Sequence, residues 1–242
     1  MSATSRSPRR VLVTGVGRSI GIAAAIAERL RADGWSVATT GWRGYDARME
    51  WGADDQPLAD YEVDFADPGA PDELFAALAP EGAVTAMVMC HCESVDSGIM
   101  TTTVESFDRH FAVNARSMWL LIRAFARQLP ADTQGAGRIV ALTSDHTTFN
   151  LPYGASKGAL DRIVLAAATE LAYLGLTANV INPGPIDTGW MDDDTRAGVL
   201  RNNLQGRLGT GRDTADLVSF LLSEQGGWLN KQVLYSDGGR WG

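Results

Sequence analysis

Val11-Leu-Val-Thr-Gly-Val-Gly-Arg-Ser-Ile-Gly21 is the stretch whose reading decides the fold. β-favouring residues run into glycines, and an Ala-rich helical pattern, Ile20–Ala32, follows and ends at Gly34. A strand that turns through glycine into a helix brings backbone close to a phosphate. The helix N-terminus adds free N–H groups and positive potential. Gly15-Val-Gly17 supplies two glycines of the G-x-G-x-x-G pattern, and the third falls late, at Gly21. Tight turns also need glycine, so the weight rests on the position between the first strand and the first helix.

Outward from this unit, apolar runs alternate with helical patterns. Strands are expected at Val11–Thr14, Ser36–Thr40, Tyr61–Phe65, Thr85–Cys90, Gly137–Leu142, Thr177–Asn182 and Gln232–Tyr235. Helices are expected at Asp72–Leu78, Val104–Leu129 (stopped by Pro130), Tyr153–Leu174 and Thr214–Leu222. Residues 41–60 are irregular, with Gly, Asp and Trp. Repeated β–α–β units predict an α/β fold: one Rossmann-type, doubly wound parallel sheet of about seven strands, helices on both faces. Residues 1–10 read as a disordered tail and 11–242 as one dinucleotide-binding catalytic domain.

The chain has 242 residues, 45% hydrophobic and 21% charged, which is enough for a large core in one domain. A net charge of −8 argues against nucleic-acid and anionic-membrane partners. No run is apolar enough to span a bilayer. The two cysteines, Cys90 and Cys92, flank His91. Successive strand side chains point to opposite faces and no second Cys/His cluster exists, so no metal site is expected. Reduced thiols in a cytoplasmic protein are the expectation.

Tyr153-Gly-Ala-Ser-Lys157 carries the chemistry. Lys157 and Lys231 are the only lysines among 21 basic residues. Four residues apart on a helix, Tyr153 and Lys157 share one face, one turn apart. An ammonium is a point charge able to lower the pKa of a nearby phenol. Carbonyl reduction needs a hydride, a proton donor for the nascent alkoxide and a hydrogen bond to hold the oxygen. Tyr153 suits the donor and Ser144 the hydrogen bond, with Thr143 as the fallback hydroxyl.

Six segments follow one another in order: Thr14-Gly15-x-x-x-Ser19-Ile20-Gly21, Phe111-Ala-Val-Asn114, Ile139-Val-Ala-Leu-Thr-Ser144, Tyr153-x-x-x-Lys157, Asn182-Pro-Gly-Pro-Ile-Asp-Thr188 and Ser236-Asp-Gly-Gly239. Together they resemble the short-chain dehydrogenase/reductase family, in particular 3-oxoacyl-(acyl carrier protein) reductases, over nearly the whole chain. The resemblance implies Ser144, Tyr153, Lys157 and Asn114 as the catalytic set, with Asn114 keeping a water that links Lys157 to solvent. It implies cofactor contacts from Gly15, Gly17, Arg18, Ser19, Ile20, Gly21, Arg43, Asp64 and Phe65. Further contacts are implied from Cys90, His91, Tyr153, Lys157, Pro183, Gly184, Ile186 and Thr188. Ser19 departs from the family's middle glycine. The family's N-N-A-G reads Met-Cys-His-Cys or Cys-His-Cys-Glu here. Ser144 precedes Tyr153 by fewer residues than usual, so the loop 145–152 is short and the substrate side open.

Thr39-Thr40-Gly41-Trp42-Arg43 carries no acid where an NAD binder places one. Arg43 and Arg18 can pair with a 2′-phosphate. The cofactor expected is therefore NADP(H), with NAD(H) the alternative. The expected substrate is a small-molecule ketone, 3-oxoacyl compound or the matching alcohol. Four-residue Tyr–Lys spacing disfavours enoyl reduction, because the resembling enoyl branch spaces the pair more widely. His146 is a candidate substrate contact, while Asp161 and Glu170 read as a solvated face. Asp187 and Trp190–Met191 open a stretch resembling the family's mobile lid, and Asp192–Asp194 a helix start. Second apolar faces on the two long helices, and the Leu234–Trp241 segment, predict a homotetramer, with a dimer the smaller alternative. The competing reading is a non-catalytic dinucleotide-binding regulator on the same fold.

Overall fold

In the computed structural model the first strand, β1, runs Arg10–Thr14 with every side chain buried. Successive residues face opposite sides of a sheet: Leu12 joins one apolar cluster, Val11 and Val13 the other. β1 is thus a central strand covered on both faces. Residues 9–129, 137–189 and 191–239 are described; the expected tail up to Pro8, and Pro130, Trp190 and Trp241, lie outside them.

After β1 come α1 (Ile22–Ala32), β2 (Ser36–Gly41), α2 (Arg43–Asp46), β3 (Tyr61–Glu62), α3 (Ala70–Leu78) and β4 (Ala86–Met89). Then follow α4 (Val104–Phe111), α5 (Ser117–Gln128), β5 (Arg138–Leu142), α6 (Leu151–Glu170), β6 (Thr177–Asn182), α7 (Asp193–Asn202), α8 (Gly211–Leu222) and β7 (Val233–Tyr235). The strands form one parallel sheet in the order β3-β2-β1-β4-β5-β6-β7. One face is covered by α3, α5 and α6 through Leu74, Leu121, Phe125 and Leu160. The other is covered by α1 and α8 through Ile26, Leu30, Val218 and Leu221. The chain leaves β1 in one direction and returns to its other side with β4. The crevice at the carboxyl ends of these two strands is where open α/β sheets bind ligands.

Side chains start several helices. Thr103 Oγ1 accepts from Ser106 N–H at 3.2 Å to cap α4, and Asp192 caps α7 through Thr195 N–H at 2.8 Å. Thr210 and Asp213 form a reciprocal capping box on α8. Among the described residues no helix is long and apolar enough to cross a membrane.

Three expectations are corrected. Arg10 belongs to β1, not to a tail: its buried guanidinium donates to Leu78 O at 2.6 Å and to Gly82 O and the Glu81 carboxylate, each at 2.8 Å. Val104–Leu129 is not one α-helix, because Ala112–Arg116 forms a π turn between α4 and α5. The irregular segment 41–60 contains α2, which packs over the crevice. The remaining differences move element ends by one to four residues, where ends fray.

Candidate active site

The crevice between β1 and β4 is lined by the phosphate loop (Gly15, Gly17, Arg18, Gly21), by Thr40, Trp42 and Asp46 beyond β2, and by Asp64 and Phe65. Cys90, His91, Cys92 and Glu93 line it after β4, and Thr188 after β6. Its volume is about 210 Å³. β4 ends at Met89, and the segment Cys90–Glu93 follows it directly.

His91 turns inward. Ser117 Oγ donates to Val113 O at 2.5 Å and therefore accepts from His91 Nε2–H at 2.9 Å. Thr14 Oγ1 accepts from Cys90 N–H at 3.1 Å and donates to His91 Nδ1 at 2.7 Å. These hydroxyls fix a neutral imidazole, and its ring stacks on Phe65 at 4.2 Å between centroids. Burial, then the nearby Lys157 charge, push its pKa down to about 3. Both ring nitrogens are engaged, which leaves none for a metal.

A pH dependence follows. From about pH 6.5, the ordinary histidine value, down to about 3, the unfolded chain binds a proton at His91 that the native state refuses. Stability is thus full above about pH 6.5 and falls on acidification by about 1.4 kcal/mol per pH unit inside that window. Thermal melts between pH 7 and 5 should show this slope in the wild type and lose it in His91→Asn. Equal slopes would refute the argument.

The loop after β4 is pinned by Asn114, at the middle of the π turn. Glu93 N–H donates to its Oδ1 at 2.7 Å, and its Nδ2 donates to Glu93 O at 2.8 Å and Ser156 Oγ at 2.9 Å. The Asn114 side chain is therefore committed to the loop, and the sequence-based role of holding a water can fall only to its backbone. The buried Glu93 carboxylate pairs with Arg48 and with Arg109 at 3.1 Å. Arg109 also reaches Asp64 at 3.1 Å and lies over the Trp42 ring at 4.5 Å. His110 Nε2 accepts from Val95 N–H at 3.0 Å, fixing the same loop.

β5 delivers Ser144 and α6 delivers Tyr153 and Lys157. Ser144 Oγ accepts from His146 N–H at 3.2 Å, and the Ser144 side chain acts on the Tyr153 phenol to lower its pKa. Burial holds that phenol well above the ordinary tyrosine range, Cys92 adds to the rise, and Ser144 opposes it. Lys157 is buried, donates to Leu142 O at 2.8 Å, and has its ammonium 5.6 Å from the Tyr153 ring centre. Burial lowers its pKa, while Cys92, Cys90 and Asp161 pull the other way. The Cys90 thiol is pushed up to about 12, chiefly by burial, and stays protonated.

Asp161 is not part of a solvated face. It is half-buried, its Oδ1 is enclosed without a hydrogen-bond partner, and its pKa is raised by burial, with Thr143 and the Lys157 charge opposing. The buried Thr143 Oγ1 donates to Lys157 O at 3.5 Å, toward α6. His146 is exposed, its ring edge-on to Tyr153 at 6.5 Å. Its carbonyl comes so close to α6 that a Cβ at Gly154 would lie 2.0 Å from it, which explains the glycine after Tyr153.

At the far end of the crevice, Ser19 N–H donates to Asp54 Oδ2 at 2.9 Å. Arg43 donates to Asp54 O at 2.9 Å, and Arg18 lies over the Trp51 ring at 5.2 Å. An anionic oxygen already sits on a backbone N–H of the phosphate loop, so the loop fits a phosphate-bearing cofactor in kind. Ile20 is half exposed and packs near Gly189. Pro183 and Ile186 are buried, Gly184 N–H donates to Asn182 Oδ1 at 3.0 Å, and Asp187 pairs with Arg196 on α7. Sequence reasoning missed Asp54, Glu93, Arg48 and Arg109, whose partners lie 16 to 45 residues away.

A family described as Enoyl-(Acyl carrier protein) reductase matches residues 15–240. The chain is 30% identical over 241 residues to the uncharacterized oxidoreductase YjdA of Bacillus subtilis, covering 94% of this chain and 95% of that protein. It is 33% identical over 239 residues to the 3-oxoacyl-[acyl-carrier-protein] reductase MabA of Mycobacterium tuberculosis, covering 96% and 92%. Among solved structures, a blue fluorescent protein from a metagenomic library in complex with NADPH superposes with a TM-score of 0.81. That pair is 26% identical and covers 96% of this chain and 97% of the other.

Proposed function

The chain belongs to the short-chain dehydrogenase/reductase family, and on that premise we propose that it reduces a ketone or 3-oxoacyl group to the alcohol, reversibly, with NADP(H). The observation that carries this reading is the Lys157 ammonium 5.6 Å from the Tyr153 ring centre, one turn along α6, with the Ser144 side chain acting on the same phenol. Bound NADP(H) would supply the hydride in reduction and take it back in oxidation. Gly15, Gly17, Arg18, Ser19, Ile20, Gly21, Arg43, Asp64, Phe65, Cys90, His91, Pro183, Gly184, Ile186 and Thr188 would hold it.

Ser144 donates to the carbonyl oxygen, its own oxygen oriented by His146 N–H. The phenol of Tyr153 hands its proton to that oxygen. At neutral pH the buried phenol holds its proton and so has it to give. Lys157 faces the phenol with a positive charge, anchored on Leu142 O and favoured by the nearby Asp161. Asn114 fixes the loop that walls the crevice. The matching family is described by enoyl reduction, but the Tyr153–Lys157 spacing supports carbonyl chemistry. The cytoplasm is the compartment that suits its free thiols.

Oxidation of NADPH and NADH with a panel of ketones and 3-oxoacyl thioesters tests the reading. NADPH is expected to be the more efficient, because no acid ends β2 and Arg43 and Arg18 stand beside the phosphate loop. Equal or better efficiency with NADH would overturn the preference. No oxidation of either across the panel would overturn the activity.

The same reading includes a homotetramer. Met118, Leu121, Leu160 and Val164 are buried against the sheet, while Trp119 is 50% exposed and Tyr173 77%. Between them the outer faces of α5 and α6 hold an apolar groove of about 460 Å³, with Ile122, Ile163 and Leu171 in its walls. The same groove on a second copy, across a two-fold axis, is the simplest cover. Light scattering at micromolar concentration should give a multiple of 25.9 kDa; a monomer mass would refute it.

A further inference from the structure

The phosphate loop of this chain grips an anion of its own. Asp54 Oδ2 accepts from Ser19 N–H at 2.9 Å, and Arg43 holds the carbonyls of Asp54 and Asp55 at 2.9 and 3.5 Å. Arg18 stacks on Trp51 of the same segment, and Trp51 Nε1–H donates to Asp46 Oδ1 at 3.1 Å. Asp46 in turn presses on the loop: a Cβ at Gly17 would lie 2.4 Å from its Oδ2. Farther along, Tyr45 Oη–H donates to Ser94 O at 3.1 Å and Arg48 pairs with Glu93, which closes the segment across the crevice. The remaining space, about 210 Å³, is below the roughly 300–1,000 Å³ of sites that enclose a ligand.

We propose that Asp54 is a cofactor-specificity determinant: its carboxylate, held on the Ser19 N–H while Arg43 holds its backbone carbonyl, occupies the place of the 2′-phosphate of NADP(H) and must leave before that phosphate binds. The inference rests on the dinucleotide reading given above. One N–H serves one strong acceptor, so Asp54 and a phosphate oxygen exclude each other at Ser19. Two anions in one site also repel. NAD(H) carries a 2′-hydroxyl there instead. That hydroxyl is a donor, and Asp54 can stay and accept from it, much as the acid after strand 2 does in other dinucleotide sites. A carboxylate that sequence reading finds missing at the end of β2 is thus delivered by the loop eleven residues beyond Arg43.

Calorimetric titration of the full chain with NADP⁺ and with NAD⁺ tests this in wild type, Asp54→Ala and Asp54→Asn. Asp54 lies on a partly exposed loop, so both variants should keep the wild-type melting transition, which is measured alongside. The expected result is at least about tenfold tighter NADP⁺ binding in Asp54→Ala, the scale of a charged hydrogen bond removed from a competitor. Asp54→Asn should fall between, and NAD⁺ should bind unchanged or more weakly. Unchanged or weaker NADP⁺ binding overturns the proposal. Equal tightening of both dinucleotides overturns it too, because Asp54 would then stand in for the shared diphosphate. Binding of neither dinucleotide to any of the three proteins defeats the cofactor reading itself, and the inference with it.

Discussion

Tyr153→Phe is expected to keep the fold and the cofactor affinity and to lower turnover at least ~100-fold, the scale of a lost general acid. The substitution removes one oxygen and leaves the ring in place, so the edge contact with His146 survives. Ser144 keeps the bond from His146 N–H. What disappears is the proton that neutralises the alkoxide. A hundredfold corresponds to about 2.7 kcal/mol of barrier. Neither neighbouring hydroxyl can take over: Ser144 is an alcohol of far higher pKa, and so is Thr143, whose buried Oγ1 donates to Lys157 O. The loss should appear in kcat with little change in the dissociation constant for cofactor. Steady-state kinetics and a binding titration on the same preparation check it. Near-normal turnover in a folded variant would sink the assignment of Tyr153.

The two halves of this site were legible to different degrees, for a physical reason. Tyr153 and Lys157 could be paired from sequence because the helix sets their separation, and Ser144 because it ends an apolar strand. The glycine turn after β1 was legible for the same cause: strand, turn and helix are consecutive. The π turn was not. Residues 104–129 keep a helical pattern throughout, and the extra residue is accommodated where Asn114 meets Glu93 and Ser156 from two other elements. Asp161 misled because a single acid on a helix usually faces water, whereas here one carboxylate oxygen is enclosed by the fold. Asp54, Arg48 and Arg109 carry no local signal, since an irregular loop leaves its partners open until the chain closes over the crevice. His91 sat in a motif whose register was undecided by one residue, and a shift of one reverses which side chain faces the core.

Gly15→Ala should be the most damaging single methyl in the phosphate loop. Gly15 has φ +84°, a conformation that costs a non-glycine residue about 1–3 kcal/mol. The new Cβ would lie 2.6 Å from His91 N, 2.8 Å from His91 Cα and 2.9 Å from Cys90 C. All three are backbone atoms, so no side-chain rotation relieves the contact. The strand-end loop cannot retreat easily either: Cys90 N–H and the His91 ring both bond to Thr14 Oγ1, and Asn114 clamps Glu93. Overpacking of this kind adds about 1–3 kcal/mol. Together these amount to roughly 2–6 kcal/mol of lost stability, about 4 °C or more in melting temperature for a domain of this length. The loop must also move off the crevice, so cofactor should stabilise the variant far less than it stabilises the wild type. Melting curves with and without NADP⁺ measure both effects. A Gly15→Ala protein that melts within 1 °C of the wild type (a margin set well below that shift) and gains equally from cofactor would show that the approach of His91 to this loop is not what the glycine serves.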